Sequence, residues 1–130
     1  VSAPTDATRQ AVYARDGRRC VACGALDALT FQHRRAVGMG GSKIKPGVAD
    51  GLTLCAVCNA ACEAEMQQLA LAYGWKAKRW TDPTKVPVYY PHAFQWFRLE
   101  GTERHPIPAA VALDMMHAVY GDEYFHWRAA

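Results

Sequence analysis

A chain of 130 residues with 51% hydrophobic and 21% charged residues has the balance of one globular domain, which excludes a disordered chain. Its apolar runs fall far short of the roughly 18 residues a spanning helix needs, and residues 1–10 are polar, without the apolar segment of a secretory signal. No membrane partner and a cytoplasmic location are therefore expected. The net charge of +3 names no partner by itself, but it is unevenly spread. Arg9, Arg15, Arg18, Arg19, Arg34, Arg35, Lys43 and Lys45 face only Asp6, Asp16 and Asp27 in the first third, which could present a basic surface to a polyanion.

Residues 4–15 predict a short helix, with Thr5 as cap and Gly17 where it stops. Residues 18–24 form a turn holding the first cysteine pair. Residues 28–33 alternate weakly and read as a strand, and residues 36–51 as a long glycine- and lysine-rich loop. Residues 52–54 are a second extended piece that leads into the second cysteine pair. Residues 59–73 carry good helix formers and end at Gly74, so one helix is expected there. Residues 75–80 alternate aromatic and basic side chains. With residues 86–90 and 95–99 they predict two or three strands. Trp75, Trp80, Tyr89, Tyr90, Trp96 and Phe97 are expected to form a small core. Residues 107–119 predict a closing helix.

Five cysteines, an odd count, suit a closed disulfide framework poorly. Four of them form two pairs, Cys20-x2-Cys23 and Cys55-x2-Cys58. Two such knuckles make a tetrahedral four-thiolate site, and a closed site of this kind is structural because no position remains for substrate. Zinc is the expected ion. Cys62 is left over and reads as a small buried residue.

Between the knuckles lie Gln32-His33-Arg34-Arg35, the glycines at 38, 40 and 41, Asp50, Leu52-Thr53-Leu54-Cys55 and Cys58-Asn59. In this combination, over roughly residues 15–73, the chain resembles the HNH endonuclease family, and within it the small HNH proteins of actinobacteria and their phages. The resemblance implies an α+β fold: a zinc-stapled ββα-metal (His-Me) finger with an N-terminal helix in residues 1–73. Residues 74–130 would then be a small β-rich extension packing on the finger and ending in a helix.

The resemblance also assigns roles. His33 matches the general base that activates water, a task suited to an imidazole near neutral pH. Asp50 matches the middle Asn of the motif, which braces the loop and orients the base. Asn59 matches the final ligand of a catalytic divalent ion, which would be Mg²⁺, Mn²⁺ or Ni²⁺. Glu63, one helical turn further, is a further candidate ligand. Gln32 stands where the family usually has Asp or His, and offers that ion only a neutral carbonyl oxygen. Arg18, Arg19, Arg34, Arg35, Lys43 and Lys45 are candidate phosphate contacts on DNA. The implied activity is phosphodiester hydrolysis in DNA. The alternative is a zinc-stapled DNA-binding module with weakened chemistry, or an accessory to phage terminase and packaging proteins in the host cytoplasm.

Overall fold

The computed structural model describes residues 3–36 and 44–129. Lys43 and the glycines at 38, 40 and 41 lie outside the described residues. Among those described, no helix is long and apolar enough to cross a membrane.

The architecture is α+β, with two small antiparallel sheets and helices packed on both. Helix α1 spans Asp6–Arg15. Its cap, Thr5, accepts the Thr8 N–H at 3.1 Å and satisfies one of the free donors of the first turn. Strand β1 (Leu29–His33) pairs with β2 (Gly51–Cys55) in the register Leu29↔Cys55 through His33↔Gly51. Side chains on a strand alternate between its faces. Phe31 therefore lies on the α1 side, under the Arg9 guanidinium. Thr30 lies on the opposite side, where α2 (Ala56–Cys62) packs and Asn59 donates to its hydroxyl at 2.8 Å.

The single helix expected over residues 59–73 is two. Helix α2 begins earlier, because Cys55 caps it by accepting the Cys58 N–H. It stops at Cys62, and α3 (Gln67–Ala72) follows. Glu63, Ala64 and Glu65 are all exposed, so no apolar contact continues the helix there, and the Met66 N–H turns back to the Ala61 carbonyl. Gly74 ends α3 at φ +74°, and a Cβ at that position would collide with the Pro87 carbonyl. Only glycine fits there.

Residues 75–80 form no strand. Ala77 makes one isolated parallel bridge to Arg35. The second sheet is β3 (Val88–Tyr90), β4 (Gln95–Glu100) and β5 (Glu103–Ile107), in that spatial order. Helix α4 (Ala109–Tyr120) comes next. A final helix, α5 (Glu123–Ala129), follows the Gly121 turn and lies beyond the expected closing helix.

One core joins Cys20, Cys55, Cys58, Leu52 and Leu54 to Trp75, Val88, Tyr90 and Leu99, so the extension packs directly on the first sheet. A second gathers Leu71, Val86, Met116, Tyr120, Tyr124 and Trp127. The expectation of an aromatic core holds for Trp75 and Tyr90. Trp80 departs from it, being 68% exposed because its segment turns outward after Ala77.

Arg34 fastens the two parts together. Its side chain is fully buried, and its guanidinium donates to the carbonyls of Gly74 (two bonds), Ala49, Pro83 and Val86 at 2.9–3.0 Å. A second buried polar group sits at the end of α1. Asp16 accepts from Arg15, from the Thr53 N–H and from the Tyr90 hydroxyl, the last at 2.6 Å.

Candidate functional site

The four knuckle cysteines converge, with their sulfurs all within 4.8 Å of one another. None of them is in a disulfide. Cys23 and Cys55 Sγ stand 3.8 Å apart. A tetrahedron with zinc–sulfur arms of about 2.3 Å has edges of about 3.8 Å, so the cluster has the dimensions of a zinc site. The first knuckle is shaped by Gly24, whose φ of +80° lets its N–H reach back to the Cys20 carbonyl at 2.8 Å. The second is shaped by the start of α2.

Burial pushes the Cys20 and Cys58 thiols up. Burial also opposes ionisation of Cys55, but bonds from the Cys58 backbone and from the neighbouring thiols outweigh it and hold Cys55 below its ordinary value. Binding a metal would displace the thiol protons. Cys62 is fully buried nearby, its pKa pushed up to about 11 by burial. It is the inert bystander the sequence suggests.

His33 ends β1 on the face of Phe31, with their rings edge to face at 5.2 Å. It is half-buried. Burial lowers its pKa below the ordinary 6.5, nearby positive charge, Arg9 included, adds to the shift and Asp50 opposes it. The imidazole is therefore neutral at neutral pH, as a proton acceptor must be. Asp50 closes the loop before β2. Its carboxylate accepts from the Gly47 N–H at 3.3 Å and pairs with Arg35 at 2.7 Å, and its backbone carbonyl accepts the Arg34 N–H.

Gln32, next to His33, points to the other face by strand alternation. It is 2% exposed, and its Nε2 has no partner. Asn59 shares that face through Thr30. Glu63 has a different companion: its carboxylate meets the Lys76 ammonium at 2.8 Å. Among the described residues, the four cysteines are the one cluster of His, Cys, Asp or Glu side chains that could hold a metal ion, so His33, Asp50 and Glu63 do not converge on a cation.

The basic residues divide. Arg18 and Lys45 are exposed and donate only long bonds to neutral oxygens among the described residues, Arg18 to the Gln10 side chain and Lys45 to the Ala3 carbonyl, both at 3.3 Å. Arg19 is half-buried beside Gly24, with its Nε unpartnered. Arg35 spends its guanidinium on Asp50 and on the Thr81 carbonyl. Arg34 corrects the expectation of a phosphate contact, because every donor it has is sealed against backbone carbonyls.

Sequence reasoning missed Lys76 as the partner of Glu63 and Thr30 as the partner of Asn59. The strand period could have found Thr30, two residues before Gln32. No local pattern signals the Lys76 pairing, which depends on the turn after Gly74. No protein-family model, curated protein or solved structure matches the chain.

Proposed function

We propose that this protein is a metal-dependent DNA endonuclease of the HNH type, built on a ββα-metal finger stapled by zinc. The observation that carries the reading is His33: a half-buried imidazole held neutral at the end of the first strand of a strand–strand–helix unit closed by four thiols. Its neutral ring nitrogen takes a proton from water. The resulting hydroxide attacks the phosphorus, the bond to the 3′ oxygen breaks and that oxygen takes a proton from a second water, leaving 5′-phosphate and 3′-hydroxyl ends. Asp50 holds the loop that follows His33 by bridging Gly47 and Arg35. Arg18 and Lys45 offer exposed cations for phosphates.

A divalent ion such as Mg²⁺, Mn²⁺ or Ni²⁺ would neutralise charge on the scissile phosphate. Its donors would be the amide oxygens of Gln32 and Asn59, with Glu63 once it parts from Lys76; they lie on the face of β1 opposite His33, so the phosphate would have to sit across the end of that strand, where His33 is the last residue. The buried Gln32 atom without a partner is its Nε2, a donor, so the amide would have to turn over to offer its oxygen to the ion. The test is plasmid nicking with each of the three ions. Cleavage by the wild type and its loss in His33→Ala, with zinc and fold retained, is the expected result. No cleavage with any ion refutes the reading.

A second reading, a zinc-stapled DNA-binding module without chemistry, is favoured by one observation. The Lys76 ammonium already neutralises Glu63, the single acid in the proposed ligand set. It predicts salt-dependent DNA binding with no cleavage. Gln32→Asp combined with Lys76→Met would then create activity where the wild type has none. A role beside phage packaging proteins belongs to this second reading.

A further inference from the structure

A cleft of about 630 Å³ lies between α3, the β3–β4 edge and α5. That is the size of an ordinary small-ligand pocket. A smaller hollow of about 190 Å³ shares its Trp96 and Arg128 wall. Tyr73, Tyr89 and Trp96 form one side. They brace one another with ring centroids 5.0–6.1 Å apart and remain half-buried, so ring surface faces the opening. Phe94 stands at the mouth, 86% exposed. Its φ of +49° is left-handed, a strained conformation for a side chain with a Cβ, and it turns an aromatic ring to solvent. Trp127 and Arg128 of α5 complete the cleft.

The charge of the lining selects the ligand. Among the described residues, Arg128 is the only charged one that lines the cleft, and it is exposed and makes no ion pair. An aromatic box for a cationic ligand would be spoiled by that guanidinium and lacks a carboxylate to help it. A neutral proline-rich peptide would leave the guanidinium without a role. A flat aromatic group joined to an anion uses both features. Glu100 and Glu103 do not interfere: they pair at the β4–β5 turn, four residues along the hairpin from the Trp96↔Ile107 pair at the cleft.

We propose that this cleft binds an unpaired nucleotide of a single DNA strand, the base against the aromatic walls and the phosphate on Arg128. A paired base has both faces covered by its neighbours and cannot use such walls, whereas an unpaired base can. The inference stands apart from cleavage, because none of His33, Gln32, Asn59 and Glu63 lines the cleft.

The test uses the zinc-loaded His33→Ala protein without added divalent ion, so that nothing is cut. The chain has four tryptophans, hence four indole N–H signals in a ¹⁵N spectrum. A short oligothymidylate is titrated in. Expected are shifts of the Trp96 and Trp127 signals with the exposed Trp80 unmoved. Phe94→Ala and Arg128→Ala, both at exposed positions, should each weaken binding about tenfold, the size of one lost stacking or phosphate contact. Thymidine monophosphate and a duplex of the same sequence should move these signals only at much higher concentration. The proposal is overturned if the oligonucleotide moves Trp80 alone, if both variants bind like the parent, or if free nucleotide or duplex binds as tightly as the single strand. It is also overturned if a proline-rich peptide moves Trp96 and Trp127 and the oligonucleotide does not. Plasmid left uncut by the wild type, together with a positive titration, removes the nuclease reading and leaves this one standing.

Discussion

Replacing Arg34 by methionine removes five hydrogen bonds while keeping an unbranched apolar stem of similar reach. The carbonyls of Gly74, Ala49, Pro83 and Val86 lose their donor inside a sealed site. A buried acceptor left unpaired costs about 1–3 kcal/mol. Four of them cost at least about 4 kcal/mol even at the low end, close to the whole stability of a weak domain. Arg34→Lys is nearly as damaging, because an ammonium has three donors and no planar fork to reach four segments. The guanidinium stays charged at neutral pH, since burial lowers its pKa only to about 10. Urea unfolding of the zinc-loaded protein measures the effect as a fall in midpoint at unchanged slope. Both variants should fall by most of the wild-type midpoint, or fail to fold. Midpoints within error of wild type, with the salt dependence of DNA binding reduced by about one phosphate contact, would refute this account and return Arg34 to the DNA surface.

Removing zinc should unfold the protein: a four-thiolate site contributes on the order of 10–16 kcal/mol, as much as the net stability of an ordinary domain. Circular dichroism during chelation checks this, and elemental analysis should give one zinc per chain. Asp16→Asn strands the buried Arg15 charge among Thr53 and Tyr90, with an expected loss of about 3–5 kcal/mol in thermal unfolding. For His33, the folded pKa lies below the unfolded 6.5, so the neutral form persists into mildly acid solution. The cleavage rate should hold as pH drops through 6.5 and decline only below it, and an acid limb centred above 6.5 would contradict the burial argument. The stability linked to His33 follows the same sign. It is present above the unfolded pKa and is lost as pH falls through the folded one.

The features legible in the sequence are those written in local chemistry. The paired spacing of Cys20, Cys23, Cys55 and Cys58 shows through because two knuckles need only short turns to aim four sulfurs. The two strands around them and α1 with its Thr5 cap were legible for the same reason. Arg34 was misread because basic residues next to a candidate base look alike in sequence, whether they face water or a buried cluster of carbonyls. What decides is the path of residues 74–86, and no periodicity encodes that path. The break between α2 and α3 was hidden by strong helix formers, whose propensity lost to the lack of an apolar anchor at Glu63, Ala64 and Glu65. The strand expected at 75–80 failed because alternation alone does not supply a partner strand. At the candidate site the adjacency of Gln32 and His33 was plain, but the strand sends them to opposite faces.

The bonds of Arg34 also set an order of events during synthesis. Its acceptors at Gly74, Pro83 and Val86 lie 40, 49 and 52 residues downstream. At a ribosomal rate of about 5–20 residues per second, several seconds pass before they exist. All four knuckle thiols are made well before Pro83 and Val86. The four thiols that could hold a metal ion are therefore all present before the later segment can close over the guanidinium. A chain that ends just before Val86 still offers Arg34 the carbonyls of Ala49, Gly74 and Pro83 and lacks only the bond to Val86.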